Sequence, residues 1–410
     1  MPGGSQRIRT THVGSLPRPS ALIDANARRA GSESVEEAAY DEQLRAAVAD
    51  VVARQKRAGI DLVNDGEFGH AMASSYDYGS WWTYAWPRFG GLEMEEHPLW
   101  GALPPQTRSQ GNGDQQVMLA SFAERRDWNL FSEAYGDPSS GAALPAVEQR
   151  RMRPVCRGPL RYRGQELIAR DIANVKAALA ESGLQDGFVN ALAPASARFA
   201  NEFYATDDEM LYAAAEALRE EYVAIIDAGL MLQLDDPAIA ENWDQIVPEP
   251  SVEAYKRFTM VRIEALNHAI RGLPPERIRF HLCWGSWHGP HVTDIPMADI
   301  VDVMLAVNAG TYSFEAANVR HEHEWRVWQE VALPEGKSIA PGVVSHATNV
   351  IEHPQLVADR IVRFARLVGR ENVIASTDCG LGGRVHPQIA WAKLEALSAG
   401  AALASAELWP

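Results

Sequence analysis

EMLYAAAEALREEYVAIIDAGLMLQLDDPA, residues 209–238, decides the fold. Glu209 to Ala228 reads as a helix, and Leu230 to Leu234 (LMLQL) as a short apolar strand running into Asp235 and Asp236. The same alternation extends downstream: helix Val252–Ile270, strands Ile278–Cys283, Tyr312–Phe314 and Ser338–Val344, helix Pro354–Val368, strand Asn372–Ser376 and a closing helix Ile389–Ala404. Upstream lie an amphipathic helix Val35–Ala58 stopped by Gly59, strand Ile60–Val63, helix Leu167–Ser182 ending at Gly183, and strand Phe188–Leu192. Such alternation implies a parallel sheet with crossover helices. The number of units approaches eight, so the expected fold is α/β, a (β/α)8 TIM barrel.

The chain has 410 residues, enough for two or three average domains or one large barrel. The rhythm favours a single domain over 1–410 with an insertion at 75–165. Between Tyr76 and Trp100, 25 residues hold eight aromatics, where the chain-wide 8% predicts about two. Residues 101–150 show little periodicity. Lys+Arg is 38 against Asp+Glu 54, a net charge of −16, which disfavours nucleic acid and anionic membranes as partners. No apolar run reaches about 18 residues, so no membrane span is expected. Three cysteines exclude a disulfide framework, and the N-terminus lacks a signal-peptide core. A cytoplasmic setting is expected, and homo-oligomerisation is left open.

Polar residues gather at the expected carboxyl ends of the strands, where barrels carry their active sites. They are Asp65 and Glu67, Asp235 and Asp236, His281 and Cys283, Glu315, His346, and Asp378 and Cys379. In a strand, residues two apart share a face, so His281 and Cys283 can reach one metal ion. A lone His-x-Cys is more often structural. Cys379 at another strand end strengthens the metal reading, and Glu315 is a reasonable fourth donor for zinc. Cys156 lies outside a clear strand end. His288, His291, His321 and His323 form no H-E-x-x-H pattern and read as structural or solvated. Arg18 and Arg384 are candidates for binding a substrate anion or for salt bridges. No phosphate-binding glycine loop is present.

The pieces TTHVGSLPR (10–18), NDGE (64–67), LQLDDPA (232–238), HLC (281–283), SFE (313–315), PGV (341–343) and STDCG (376–380) occur in this order. As a set they resemble the catalytic domain of cobalamin-independent methionine synthase and its relative, epoxyalkane–coenzyme M transferase. The chain is most similar to single-domain members of the methionine-synthase-II-like kind. The resemblance implies a (β/α)8 barrel and a zinc (Zn2+) cofactor held by His281, Cys283, Glu315 and Cys379. It puts Val13, Gly14 and Ser15 against the thiol substrate, and Glu67 and Asp235 on the amino group of homocysteine. With one residue deleted, His346 and Asn349 fall on the family's catalytic histidine and a nearby asparagine.

The implied activity is zinc-dependent thiol alkyl transfer. Its substrates would be a small-molecule thiol and a small alkyl donor, such as a methyl donor. Folate is disfavoured as that donor, because the chain begins at the TTHVGS strand without the preceding barrel of full-length methionine synthase. Two alternatives are an epoxyalkane–thiol transferase or C–S lyase, and a zinc hydrolase using metal-bound water. A thiol-binding protein without turnover is a third. Some of Tyr76, Trp81, Trp82 and Trp86 are expected to line the barrel mouth and contact the carbon-bearing substrate, the alternative being that they pack the insertion against the barrel wall.

Overall fold

Apolar residues at helical spacing and short β-rich runs build this protein as a mixed α/β fold. The structure, a computed structural model, describes residues 6–31, 35–75, 80–96, 117, 119–120, 124–142 and 152–410. Its strands are β1 (Arg9–Thr10), β2 (Phe89–Glu96), β3 (Met152–Tyr162), β4 (Phe188–Leu192), β5 (Ala200–Asn201), β6 (Met231–Asp236), β7 (Ile278–Leu282), β8 (Thr311–Phe314), β9 (Ser338–Val344) and β10 (Ile374–Thr377). Its helices are α1 (Ser20–Ala30), α2 (Glu37–Arg57), α3 (Ser80–Ala85), α4 (Arg126–Leu130), α5 (Ser132–Gly136), α6 (Gln165–Ser182), α7 (Asp207–Asp227), α8 (Ala238–Glu241), α9 (Val252–Ala269), α10 (Met297–Leu305), α11 (Pro354–Val368) and α12 (Pro387–Leu408). Among the described residues no helix is long and apolar enough to cross a membrane.

Seven strands form one parallel sheet in the order β1-β10-β9-β8-β7-β6-β4. The sheet curls in the manner of a TIM barrel, and helices connect its strands. Residues 60–63 form no extended strand. Their backbone nevertheless touches both outer strands of the sheet. Leu62 N donates to Thr10 O (3.1 Å), and Val63 bridges Gly187 in parallel.

Helix ends follow local chemistry. Thr206 Oγ1 accepts from Glu209 N (3.1 Å) and caps α7. Gly183, at φ 64°, closes α6 in the left-handed conformation that glycine adopts without penalty.

A second sheet, β2-β3-β5, had no sequence signal. β2 (FGGLEMEE) and β3 (MRPVCRGPLRY) lack clean alternation. Cross-strand charges join them: Arg153 to Glu95, and Arg157 to Glu93 (3.0 Å), Glu95 (2.7 Å) and Glu202 (2.9 Å). Cys156, on β3, is buried beside the Gly158 carbonyl, away from the strand-end residues.

Candidate metal centre and acidic pocket

The parallel register sets the site. Asp235 pairs with His281, and His281 with Ser313, so their side chains share one level of the sheet. One level below, Gln233 pairs with Arg279 and Asn190 with Gln233. Arg279 is fully buried and donates to Thr11 Oγ1 (3.1 Å) and His12 O (3.0 Å). The inner face of the sheet is therefore polar, although LMLQL reads as apolar.

His281, Cys283 and Cys379 offer ligand atoms within 4.8 Å of one another. The two sulfurs stand 3.9 Å apart. A disulfide needs about 2.05 Å. Two sulfurs on a tetrahedral zinc, with bonds of about 2.3 Å, are about 3.8 Å apart, so these fit a shared metal. His281 is buried, and neither ring nitrogen has a hydrogen-bond partner. Such a group normally finds one. Gly285 N donates to Cys283 Sγ (3.3 Å). Cys379 is held well below the usual thiol range, chiefly by Cys283 beside it and against the effect of burial, with His281 adding to the shift.

Glu315 belongs to an adjoining trio with His346 and Asp378, again within 4.8 Å. Its oxygens accept from Trp284 N (3.1 Å) and Asn318 Nδ2 (2.7 Å). Asp378 Oδ1 accepts from Ala316 N and Ala317 N (both 2.8 Å), fixing the chain just after Glu315. Gly342 of the PGV piece permits this, since a Cβ there would lie 2.0 Å from Asp378 Oδ1. Burial raises Glu315 to about 8 and Asp378 to about 6. Burial also depresses His346 to about 3, and its Nδ1 lacks a partner. Asn349 is exposed, apart from this group.

Glu67 and Asp235 form the acidic side. Glu67 sits at φ 58°, a rare conformation for a side-chain-bearing residue, and such strain collects at functional sites. Gly14 makes room for it, because a Cβ there would lie 2.1 Å from Glu67 Oε1. Asn190 Nδ2 donates to Asp235 Oδ2 (2.8 Å) and Val13 O (2.9 Å). Ser15 O accepts from Leu381 N and Gly382 N (both 2.9 Å), tying the TTHVGS segment to the loop after β10. Burial, reinforced by Asp235, raises Glu67 well above the usual carboxylate range; burial raises Asp235 to about 7. Arg18 spends donors on Ser15 Oγ (2.9 Å) and on the carbonyls of Glu67 and His70, so it shapes the Glu67 turn.

The sequence reading missed Asn190, Gln233, His70 and Asp378's bracing of the Glu315 chain. Lone amides inside apolar strands were the available signal for the first two. His70 Nδ1 lies 3.5 Å from Glu67 Oε2 and packs edge-on against Trp81 (4.6 Å between centroids). Trp81 and Trp86 are half-buried against the core. Tyr76 and the Trp82 side chain lie outside the described residues. Of the other histidines singled out in the sequence, His321 meets Glu324 (2.9 Å) and Asp294 (3.0 Å), His291 meets Asp294 (3.0 Å), His288 meets the His346 carbonyl (3.1 Å), and His323 is exposed. Arg384 donates to Ser286 Oγ (2.8 Å).

The profile of the family described as "Cobalamin-independent synthase, Catalytic domain" matches residues 8–76 and 149–402. A 2-hydroxypropyl-CoM lyase of Xanthobacter autotrophicus is 23% identical over 438 aligned positions, covering 99% of this chain and 97% of its own. A methionine synthase of Thermococcus kodakarensis is 22% identical, covering 97% and 94%. The solved structure of a B12-independent methionine synthase from Shewanella sp. W3-18-1, in complex with selenomethionine, superposes with TM-score 0.68 at 18% identity, covering 98% and 99%. That likeness speaks for the fold. The chain belongs to the cobalamin-independent synthase catalytic-domain family.

Proposed function

We propose that the protein is a zinc-dependent thiol alkyltransferase whose thiol substrate carries an ammonium group, as homocysteine does. The observation that carries this reading is the pair of sulfurs at 3.9 Å beside a buried, unpartnered His281. His281, Cys283 and Cys379 would hold the metal, with Glu315 moving in from its trio as fourth donor. Zinc, when bound, supplies the Lewis acidity that keeps a thiol sulfur nucleophilic at neutral pH, where a free thiol is only a few per cent ionised.

Glu67 and Asp235 bind and orient the substrate. Burial disfavours the charge on each, and an arriving ammonium would favour the ionised carboxylates. Val13, Gly14 and Ser15 wall the substrate. His346, buried between Glu315 and Asp378, is the proton donor for the leaving group. Burial keeps its ring neutral near pH 7, so it would take up the proton that the thiol gives up and pass it to the leaving group. Trp81 and Trp82 contact the alkyl donor and exclude water; the packing of Trp81 on His70 supports this placement.

The same reading makes the sheet a closed (β/α)8 barrel, with residues 60–63 in the eighth position between β1 and β4. The contacts of Leu62 and Val63 support it. The chain is then one domain, with its insertion at 75–165; the family profile leaves 77–148 unmatched. The acidic, cysteine-poor composition suits the cytoplasm.

A second reading takes the 2-hydroxypropyl-CoM lyase relative as guide, with a sulfonate-bearing thiol as substrate. Two carboxylates disfavour an anion there. Turnover assays with homocysteine and with 2-mercaptoethanesulfonate, alongside metal analysis, separate the readings. The expected result is about one zinc per chain, lost in Cys283→Ser and Cys379→Ser, and a preference of about 100-fold for homocysteine. Stoichiometric zinc in both variants would sink the ligand set. A preference for the sulfonate would favour the second reading.

A further inference from the structure

The segment 124–142 falls in the stretch that the family profile leaves unmatched, yet it reaches the loop that follows β7. Arg125 anchors it to Glu241 (2.7 Å), and Asp127 N donates to Asp244 Oδ1 (2.9 Å), both in the connection after β6. On its other side, Asp127 accepts from His291 N (3.3 Å) and Val292 N (3.0 Å). Asp127 also accepts from Tyr135 Oη (2.7 Å), and Tyr135 Oη in turn accepts from Trp287 Nε1 (2.8 Å). The Trp287 ring is stacked on His291 (4.1 Å) and covered by the Arg125 guanidinium (4.0 Å). The indole is therefore held by a stacked ring, a guanidinium and a hydrogen bond at its only polar atom.

Trp287 folds back onto Gly285. A Cβ on Gly285 would lie 1.8 Å from the indole, and Gly285 adopts φ 94°, which glycine tolerates. Gly285 N is the group that donates to Cys283 Sγ. The contacts thus run without a gap from the insertion, through Tyr135 and Trp287, to the backbone N–H on a cysteine sulfur. Hydrogen bonds to a ligand sulfur orient it and withdraw charge from it, and the loss of such outer contacts typically weakens metal binding about 10–100-fold.

We propose that residues 124–142 are a positioning element for the metal centre: Asp127 and Tyr135 seat Trp287, and Trp287 holds the Gly285 N–H on Cys283 Sγ. This rests on the zinc reading above. Tyr135 and Trp287 touch neither substrate nor metal, so they are positioning residues.

The test uses the full-length protein loaded with zinc, and separately with cobalt(II). Zinc release to a chelator and the thiolate-to-cobalt absorption bands are measured for wild type, Tyr135→Phe, Trp287→Phe and the double variant. Arg126→Ala is the control, since Arg126 lies in the same segment, next to Asp127 on α4, but bonds to the Trp243 carbonyl and Glu249. Each single variant should release zinc about 10-fold faster and shift the cobalt bands. The double variant should do no more than either single one, because both break one path. The control should release zinc at the wild-type rate. Wild-type release and bands in both single variants would overturn the proposal, as would equal effects in the control. Should Trp287→Phe fail to fold, Tyr135→Phe, which removes one oxygen atom, decides alone. A wild type that takes up neither metal takes the zinc reading down, and this proposal with it.

Discussion

Two buried clusters of charge differ in one respect that separates structure from chemistry. In the helical shell, Arg88 pairs with Asp171 (3.0 Å) and Glu221 (3.0 Å), and Arg170 adds a second cation on Asp171 (3.1 Å). Both buried carboxyls there have an arginine directly on them, as a buried ion network requires. At the carboxyl ends of the strands stand Glu67, Asp235, Glu315, Asp378, Cys283 and Cys379, around His281 and His346. That group is rich in acids and thiols, and the nearest cations, Arg18, Arg279, Arg360 and His321, bond to other partners. Folding alone gives no reason to bury such an excess. A metal ion and an ammonium group would supply the missing charge.

The comparison can be broken at the shell first. Arg88→Met leaves Asp171 and Glu221 without their shared cation. It should cost about 3–5 kcal/mol of stability in urea unfolding, while the folded variant still binds zinc. Lost zinc with unchanged stability would show that the two clusters are not separable.

Asp235 and Asp236 sharpen it, being neighbours that face opposite ways. Asp236 faces the shell, accepting from Ser196 Oγ (2.8 Å), and burial raises it to about 7. Its folded value lies above its unfolded one. As pH rises from about 4 to about 7, the unfolded chain loses the proton first, and stability falls by at most about 1.4 kcal/mol per unit. Asp236→Asn should flatten that fall by about 1–3 kcal/mol in all, with substrate affinity unchanged. An identical pH–stability profile in the variant would remove Asp236 from the account.

Asp235→Asn should act on binding instead. It should raise KM for homocysteine about 100-fold, or about 2.7 kcal/mol, and leave zinc in place. An unchanged KM would free the acidic pocket from its assigned role. The smallest effect is expected from Trp82→Ala: about 10-fold lower turnover with little change in melting temperature. A large fall in melting temperature with unchanged substrate affinity would assign the ring to packing.

The shell was easier to read from sequence than the mouth. β4, β9 and α11 fall where apolar periodicity put them, and α6, α7 and α9 differ only by a residue or two at their ends. Periodicity works there because one face of each element is buried and the other is wet. It fails for β2 and β3, which charge pairs hold across the strands. The spacing His281-Leu282-Cys283 told which side chains share a face, and the structure brings Cys379 to them. The separation of Glu315 into a trio with His346 and Asp378 was not legible. It depends on backbone N–H groups after β8 and on the space above Gly342, and neither is a property of residue type at a distance. Asn190 and Gln233 were hidden by the opposite rule: an amide inside an apolar strand looks like an exception until the register shows it facing the acids.

The central claim is that His281, Cys283, Cys379 and Glu315 hold zinc. X-ray absorption at the zinc edge of the purified protein tests it most directly. The account predicts a first shell of two sulfurs at about 2.3 Å and two nitrogen or oxygen donors at about 2.0–2.2 Å. A shell of nitrogen and oxygen alone would contradict it.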